Sequence, residues 1–216
     1  MATRIYLPSS GAAAFNTRAF SAYWNFVETG HVHLACGTTK TSTAQAYAST
    51  STWTAPRTNN QFISGQFNAH DFTTEETVQG IVRCLADANS IAYLAMSIRV
   101  ISSDGVTVRG TLFEGAGPTT LVSSAWTNRS LGAAGAAVAI QNNVSMLAGD
   151  RLCIEVGANG ATGTGVYPYF GDAHASDLVA NETGTDAYNP WVEFSATLAD
   201  YSAGGATNVV CMLFDS

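Results

Sequence analysis

The sequence predicts an all-β protein: an antiparallel β-sandwich of jelly-roll type, with about eight to eleven strands joined by long loops. Three observations predict it. Residues 91–101 alternate without a break, with Ala92, Leu94, Met96, Ile98 and Val100 on one face and Tyr93, Ser97 and Arg99 on the other. This is period two over a β-branched stretch, the signature of a strand. Turn signals built from Gly, Asn, Asp and Ser recur along the chain, and no long amphipathic helix interrupts them. The length of 216 residues exceeds an immunoglobulin-like sandwich, which has about 100. No repeat of about 20–50 residues is present, which disfavours propellers and solenoids.

Taken in order, residues 3–7 (TRIYL) form a short strand stopped by Pro8, and SSGAAA follows as a turn or loop. Residues 22–27 and 31–36 read as short strands parted by Thr29-Gly30. Residues 37–60, rich in Thr, Ser, Ala and Asn, are a long loop or weak edge structure. Residues 61–67 and 77–85 alternate again. Ser102-Ser103-Asp104-Gly105 turns the 91–101 strand back into 106–113, a hairpin. Residues 119–126 and 134–141 are weaker. Alanine content in GAAGAAVAIQ favours a helix there, and Gly132 and Gly135 oppose it.

Further on, the turn at Ala148-Gly149-Asp150 leads into Leu152, Ile154 and Val156 on one face. Residues 166–170 (VYPYF) follow, then 190–198, where Val192, Phe194, Ala196 and Leu198 share a face. Between the strands that begin and end the 149–198 segment a long Gly/Thr/Asp-rich loop, 157–190, is expected. Residues 1–198 thus form a single sandwich domain. Residues 199–216 are a small-residue linker followed by the apolar run VVCMLF. That run is either a last strand of its own sheet or an arm that pairs with a neighbouring subunit.

Charged residues are 12% of the chain, about half the usual share of roughly 25%. Lys40 is the only lysine; the other eight basic residues are arginines. The net charge of −7 lacks the basic stripe that nucleic acid or an anionic membrane surface requires. No apolar run approaches the roughly 18 residues of a membrane span. The start, MATRIYLPSSG, has no signal-peptide pattern, so a protein made and kept in a cytosol is expected. The four cysteines, Cys36, Cys84, Cys153 and Cys211, are far apart, as buried free thiols would be.

No catalytic kit emerges. His31 and His33 share a strand face but lack the following acid that a metal-binding barrel needs. No Gly-x-Ser-x-Gly elbow exists for His70-Asp71 or Asp172-Ala-His174 to serve. Glu75 and Glu76 point to opposite faces and cannot flank one glycosidic bond. Asp172, Asp177, Glu182 and Asp186 give residues 157–190 an oxygen-rich character, yet the spacing matches no EF-hand. Tyr167, Tyr169, Tyr188 and Trp191 offer aromatic faces for a sugar; Tyr169 and Trp191 are equally suited to core or interface. The set Tyr167, Tyr169, Asp172, Asp177, Tyr188 and Trp191 is therefore the candidate ligand-facing surface. Arg83, Arg99, Arg109 and Arg151 are expected to brace the sheets through carboxylates or carbonyls. No cofactor is implied.

Several motifs together resemble a family of tailed-bacteriophage virion proteins, common in phages of aquatic bacteria. They are the opening MATRIYLPSSGAAA, Gly80–Leu85 (GIVRCL), and the hairpin Ser97–Leu112 (SIRVISSDGVTVRGTL). Gly149–Gly157 (GDRLCIEVG) and Tyr188–Ser195 (YNPWVEFS) are also similar, with Gly171-Asp172, Asp177-Leu178 and Asn181-Glu182-Thr183 between them. The likeness spans most of residues 1–197, and the tail after Leu198 is extra.

The resemblance implies a virion component, assembled in the host cytoplasm, with no enzymatic activity. Its leading role is a capsid decoration (cement) protein that binds the major capsid protein or other virion proteins. The alternative is a tail, baseplate or head-fibre module that binds host-surface glycan. A homo-oligomer is expected, with a trimer favoured. The expected assembly contacts are Arg4, Ile5, Tyr6, Leu7 and Pro8 at one end of the chain. At the other they are Val209, Val210, Met212, Leu213 and Phe214.

Overall fold

The computed structural model describes residues 2–14, 32–47, 57–86, 91–120, 125–162, 166–182 and 189–202. The expected strand at 22–27, Tyr188 and the tail contacts Val209, Val210, Met212, Leu213 and Phe214 lie outside these residues. The early strands are β1 (Thr3–Tyr6), β2 (Val32–Cys36), β3 (Ala46–Tyr47), β4 (Arg57–Gln66) and β5 (His70–Phe72). The middle of the chain forms β6 (Thr77–Ala86), β7 (Ile91–Ile101), β8 (Val108–Thr120) and β9 (Thr127–Ser130). The last are β10 (Val138–Ala139), β11 (Val144–Met146), β12 (Arg151–Thr162), β13 (Val166–Phe170) and β14 (Trp191–Phe194).

These strands make an all-β sandwich of two main sheets. One sheet has the order β2-β4-β12-β7-β8, antiparallel except for the parallel β2–β4 pair. The other is built on β6. Along one edge of β6, β14 and β13 lie end to end, with β1 outside β14 and β3 outside β13. Along the opposite edge β10 and β9 do the same. β5 and β11 form a small separate pair. The chain crosses between the main sheets from β6 to β7, from β8 to β9 and from β12 to β13, while β7 and β8 stay together as the expected hairpin.

The core lies between the sheets. Ala92, Leu94, Met96, Ile98 and Val100 are all inward and at most 1% exposed, as the alternation predicts. Leu152, Ile154 and Val156 continue the layer on β12, and Val78, Val82, Val192 and Phe194 face it from the β6 sheet. Phe62 and Phe170 meet edge-on at 5.0 Å across the interior. Gly80 sets the closest approach: a Cβ there would stand 2.9 Å from Met96 Sδ and 3.2 Å from Leu131 Cδ1.

One expectation is corrected, and the open reading at 134–141 is decided. The polar stretch 157–190 is not one loop, because β12 runs on to Thr162. Gly157, Ala158, Asn159 and Gly160 pair with Ala95, Leu94, Tyr93 and Ala92 of β7. Neighbouring strands supply the ladder that glycine-rich residues do not favour alone. Around 132–141, the alanine-rich run makes a 3₁₀ turn at Ala133–Gly135 and then the short β10. Gly135 has φ +88, a conformation outside any right-handed helix.

The outer face of the five-stranded sheet is also covered. Ser97 (0%), Arg99 (3%), Gln61 (1%) and Glu155 (0%) are buried there. Arg99 donates to Glu155 at 3.4 Å, to Glu114 at 2.5 Å and to the Thr111 hydroxyl at 3.1 Å. Gln61 Nε2 donates to Glu155 at 2.9 Å. Beside this network Ile63, Ile101 and Cys153 pack with Ala13, where the segment after β1 bridges β2 at Ala12–Leu34.

Candidate functional site

Arg4 and Tyr6 at the N-terminus meet Asp177 and Trp191 of the 172–191 segment in one cluster. β1 alternates, so Ile5 and Leu7 turn into the core while Arg4 and Tyr6 turn outward. The β1–β14 register sets Arg4 opposite Glu193 and Tyr6 opposite Trp191. Arg4 Nε donates to Glu193 at 2.9 Å and Nη1 to Asp177 at 3.0 Å. The guanidinium sits 4.0 Å from the Trp191 ring centroid, a cation–π distance. The indole N–H of Trp191 donates to Leu178 O at 2.8 Å, which fixes the loop bearing Asp177.

Asp177 is the hub. Besides Arg4, it accepts from Tyr6 Oη at 2.9 Å and Asn189 Nδ2 at 3.1 Å, and pairs with Lys40 Nζ at 2.7 Å. Partial burial pushes its carboxyl up. The donors Lys40, Asn189, Tyr6 and Arg4 outweigh that and hold it at about 2. Such a carboxylate stays ionised at neutral pH. The Tyr6 phenol moves up, through burial first and its bond to Asp177 second. Asn189 is buried and also accepts from His174 N at 2.9 Å and donates to His174 O at 2.7 Å.

Asp172 makes a second anchor beside the first. Its Oδ1 accepts from Thr43 N at 2.6 Å and the Thr43 hydroxyl at 2.8 Å; Oδ2 accepts from the Thr41 pair at 2.5 and 2.8 Å. Burial raises this carboxyl, and the four donors bring it below its ordinary value. Asp172 thereby fixes the segment that presents Lys40.

The remaining predicted residues are distributed as follows. Ile5, Leu7 and Pro8 are buried within their own chain, so their side chains are core groups. Trp191 and Asp172 are each 1% exposed. Tyr167 and Tyr169 are half-buried on β13, with Trp126 4.9 Å from the Tyr169 ring. Lys40, Asn189, Glu193, Thr41 and Thr43 were not singled out from the sequence; only the singularity of Lys40 among the basic residues marked it.

The other chemical groups serve the fold. His33 pairs with Gln61 at 3.0 Å and His70 with Glu76 at 3.1 Å. Arg109 pairs with Asp150 at 3.0 Å, and Arg151 donates to Ser64 O at 2.8 Å and Ser103 O at 3.1 Å. The Nε of Arg83 is buried without a hydrogen-bond partner among the described residues. Cys36, Cys84 and Cys153 are buried free thiols; burial raises all three, Cys84 to about 12. Among the described residues no cluster of three or more His, Cys, Asp or Glu is placed to hold a metal.

No protein-family model matches the chain, and no curated protein does. Among solved structures it is similar to one of infectious bursal disease virus, Gt strain, at 8% identity and a TM-score of 0.32. A structure of the Gx strain matches at 11% identity and 0.26, and the VP2 subviral particle of that virus at 10% and 0.23. The matches cover 75–76% of this chain and 37–39% of those chains. This chain thus spans well under half the length of the chains it matches.

Proposed function

We propose that the chain is a non-catalytic structural protein of a phage virion, a decoration protein that stabilises the head by binding capsid subunits. The observation that carries this reading is the edge position of β1. It is the outermost strand of the β6 sheet; on its open side the described residues give one bridge, Tyr6 to Gly37. An edge strand offers main-chain groups to a neighbouring chain. Arg4 and the Asp177 hub hold it in place. The virion-like motifs across residues 1–197 support the same reading, as does the use of Asp172 and Asp177 as structural anchors rather than acids or bases.

The contacts in this reading are the N-terminal segment Arg4–Pro8, through the outward side chains of Arg4 and Tyr6 and the outer edge of β1, together with the apolar Val209–Phe214. The subunit acts as a homo-oligomer, with a trimer favoured. The test is to compare particles with and without the protein. Stoichiometric copies on the shell, and loss of heat resistance without them, are expected. Particles of unchanged heat resistance overturn the role. The glycan-binding reading keeps one observation, the partial exposure of Tyr167 and Tyr169. Unchanged host adsorption after Tyr167→Ala and Tyr169→Ala removes it.

A further inference from the structure

Three of the large hydrophobic side chains exposed among the described residues gather at one end of the molecule: Val106 (78%), Leu147 (51%) and Val108 (37%). Their grouping follows from how the segment ending in β11 packs on β8. Gln141 N donates to Leu112 O, Asn142 Nδ2 donates to Thr111 O, and a Cβ on Gly110 would stand 2.7 Å from Val144 Cγ2. Rising numbers on one segment meet falling numbers on the other, so Val108 continues alongside Met146 and Leu147. The Arg109–Asp150 pair fastens the two, and Asp150 also accepts from Leu147 N at 2.9 Å. Val106 sits on the adjoining hairpin tip, where its N–H donates to Asp104 at 3.1 Å.

The chain leaves its described part at this same end. Tyr201 N donates to Gln66 O at 2.9 Å, and a Cβ on Gly149 would stand 3.9 Å from Tyr201 Cε1. Residues 203–208, AGGATN, reach at most about 20 Å. After them comes Val209-Val210-Cys211-Met212-Leu213-Phe214. In extended form Val209, Cys211 and Leu213 face one way and Val210, Met212 and Phe214 the other. Both faces are apolar, the pattern of a strand covered on both sides. A segment of that pattern needs an apolar surface on each side, more than one such patch supplies.

We propose that two copies of this chain associate through this end, with Val209–Phe214 packed against the Val106–Val108–Leu147 surface of the second copy. The inference rests on the reading of Val209–Phe214 as an assembly contact and names the surface that receives it. Leu147→Cys in the full chain, oxidised with diamide, tests it. Cys36, Cys84 and Cys153 are buried, which leaves Cys211 as the partner thiol. A disulfide between chains is expected, lost when Cys211→Ala is added. Val179→Cys, a comparably exposed position at 54%, is expected to give none.

In sedimentation the full chain is expected to associate, and the double variant Val106→Asp with Leu147→Asp to lose that association while keeping its circular dichroism. A disulfide formed solely within one chain, no disulfide at Leu147→Cys, or a full chain that sediments as a monomer overturns the inference. Co-sedimentation with capsid shells is scored separately. Chains that cross-link through Leu147 yet never bind shells overturn the decoration role and leave this interface standing. Shell binding without cross-linking does the reverse.

Discussion

Two ionic clusters brace this sandwich, and they differ in what surrounds them. Arg99, Glu155 and Glu114 lie on the outer face of the five-stranded sheet, with the Arg99 side chain 4% and the Glu155 side chain 1% exposed. Arg4, Lys40, Asp177 and Glu193 lie at the edge of the other sheet, with side chains 19–32% exposed. The first is a condition of folding, because a buried charge without its partner is costly. The second joins loops distant in sequence while water still screens it. The comparison separates charge that the core cannot release from charge that holds a surface in register.

The largest effect is expected at the buried cluster. Arg99→Met leaves Glu155 and Glu114 without their cation and should cost about 3–5 kcal/mol in urea unfolding. Adding Glu155→Leu should recover a large part of that loss, since the charge and its partner then leave together. A double variant no better than the single one would break the assignment of Arg99 and Glu155 as a pair.

Asp177→Asn comes next. Its carboxyl lies at about 2 in the folded chain, below the roughly 3.9 of an unfolded aspartate. The stabilisation is therefore present above about pH 4 and lost as pH falls toward about 2. After allowance for partial exposure it amounts to about 1–2 kcal/mol at neutral pH. The variant should flatten the pH dependence of stability across that window and leave it unchanged above. The smallest effect is expected for Lys40→Met, within about 1 kcal/mol and fading with added salt. A salt-independent loss would show that Lys40 acts by packing.

Much of the fold is legible along the chain wherever one face is apolar and the other is not. The alternation in β7 names its inward residues correctly, and Ser102–Gly105 names the turn. Residues 157–162 were not legible, because glycine, alanine and asparagine carry no strand preference and pairing with β7 decides their state. Nor was the burial of Ser97 and Arg99 legible, since alternation reports which face a residue takes and not what covers that face. The site was legible as residue types. Arg4, Tyr6, Asp172, Asp177 and Trp191 were all singled out, but as two separate sets. Their joining depends on contacts such as Arg4 to Asp177, 173 positions apart, for which no local period exists.

The sequence by itself determined that this protein is an all-β sandwich whose alternating apolar faces turn inward. Period two and apolar content are local properties, and burial follows from them. Only the tertiary structure decided which carboxylates are anchors, that Trp191 is buried beneath Arg4, and that Val106, Val108 and Leu147 share one end. Those outcomes arise from strand order and from segments that meet only after the sheets have formed.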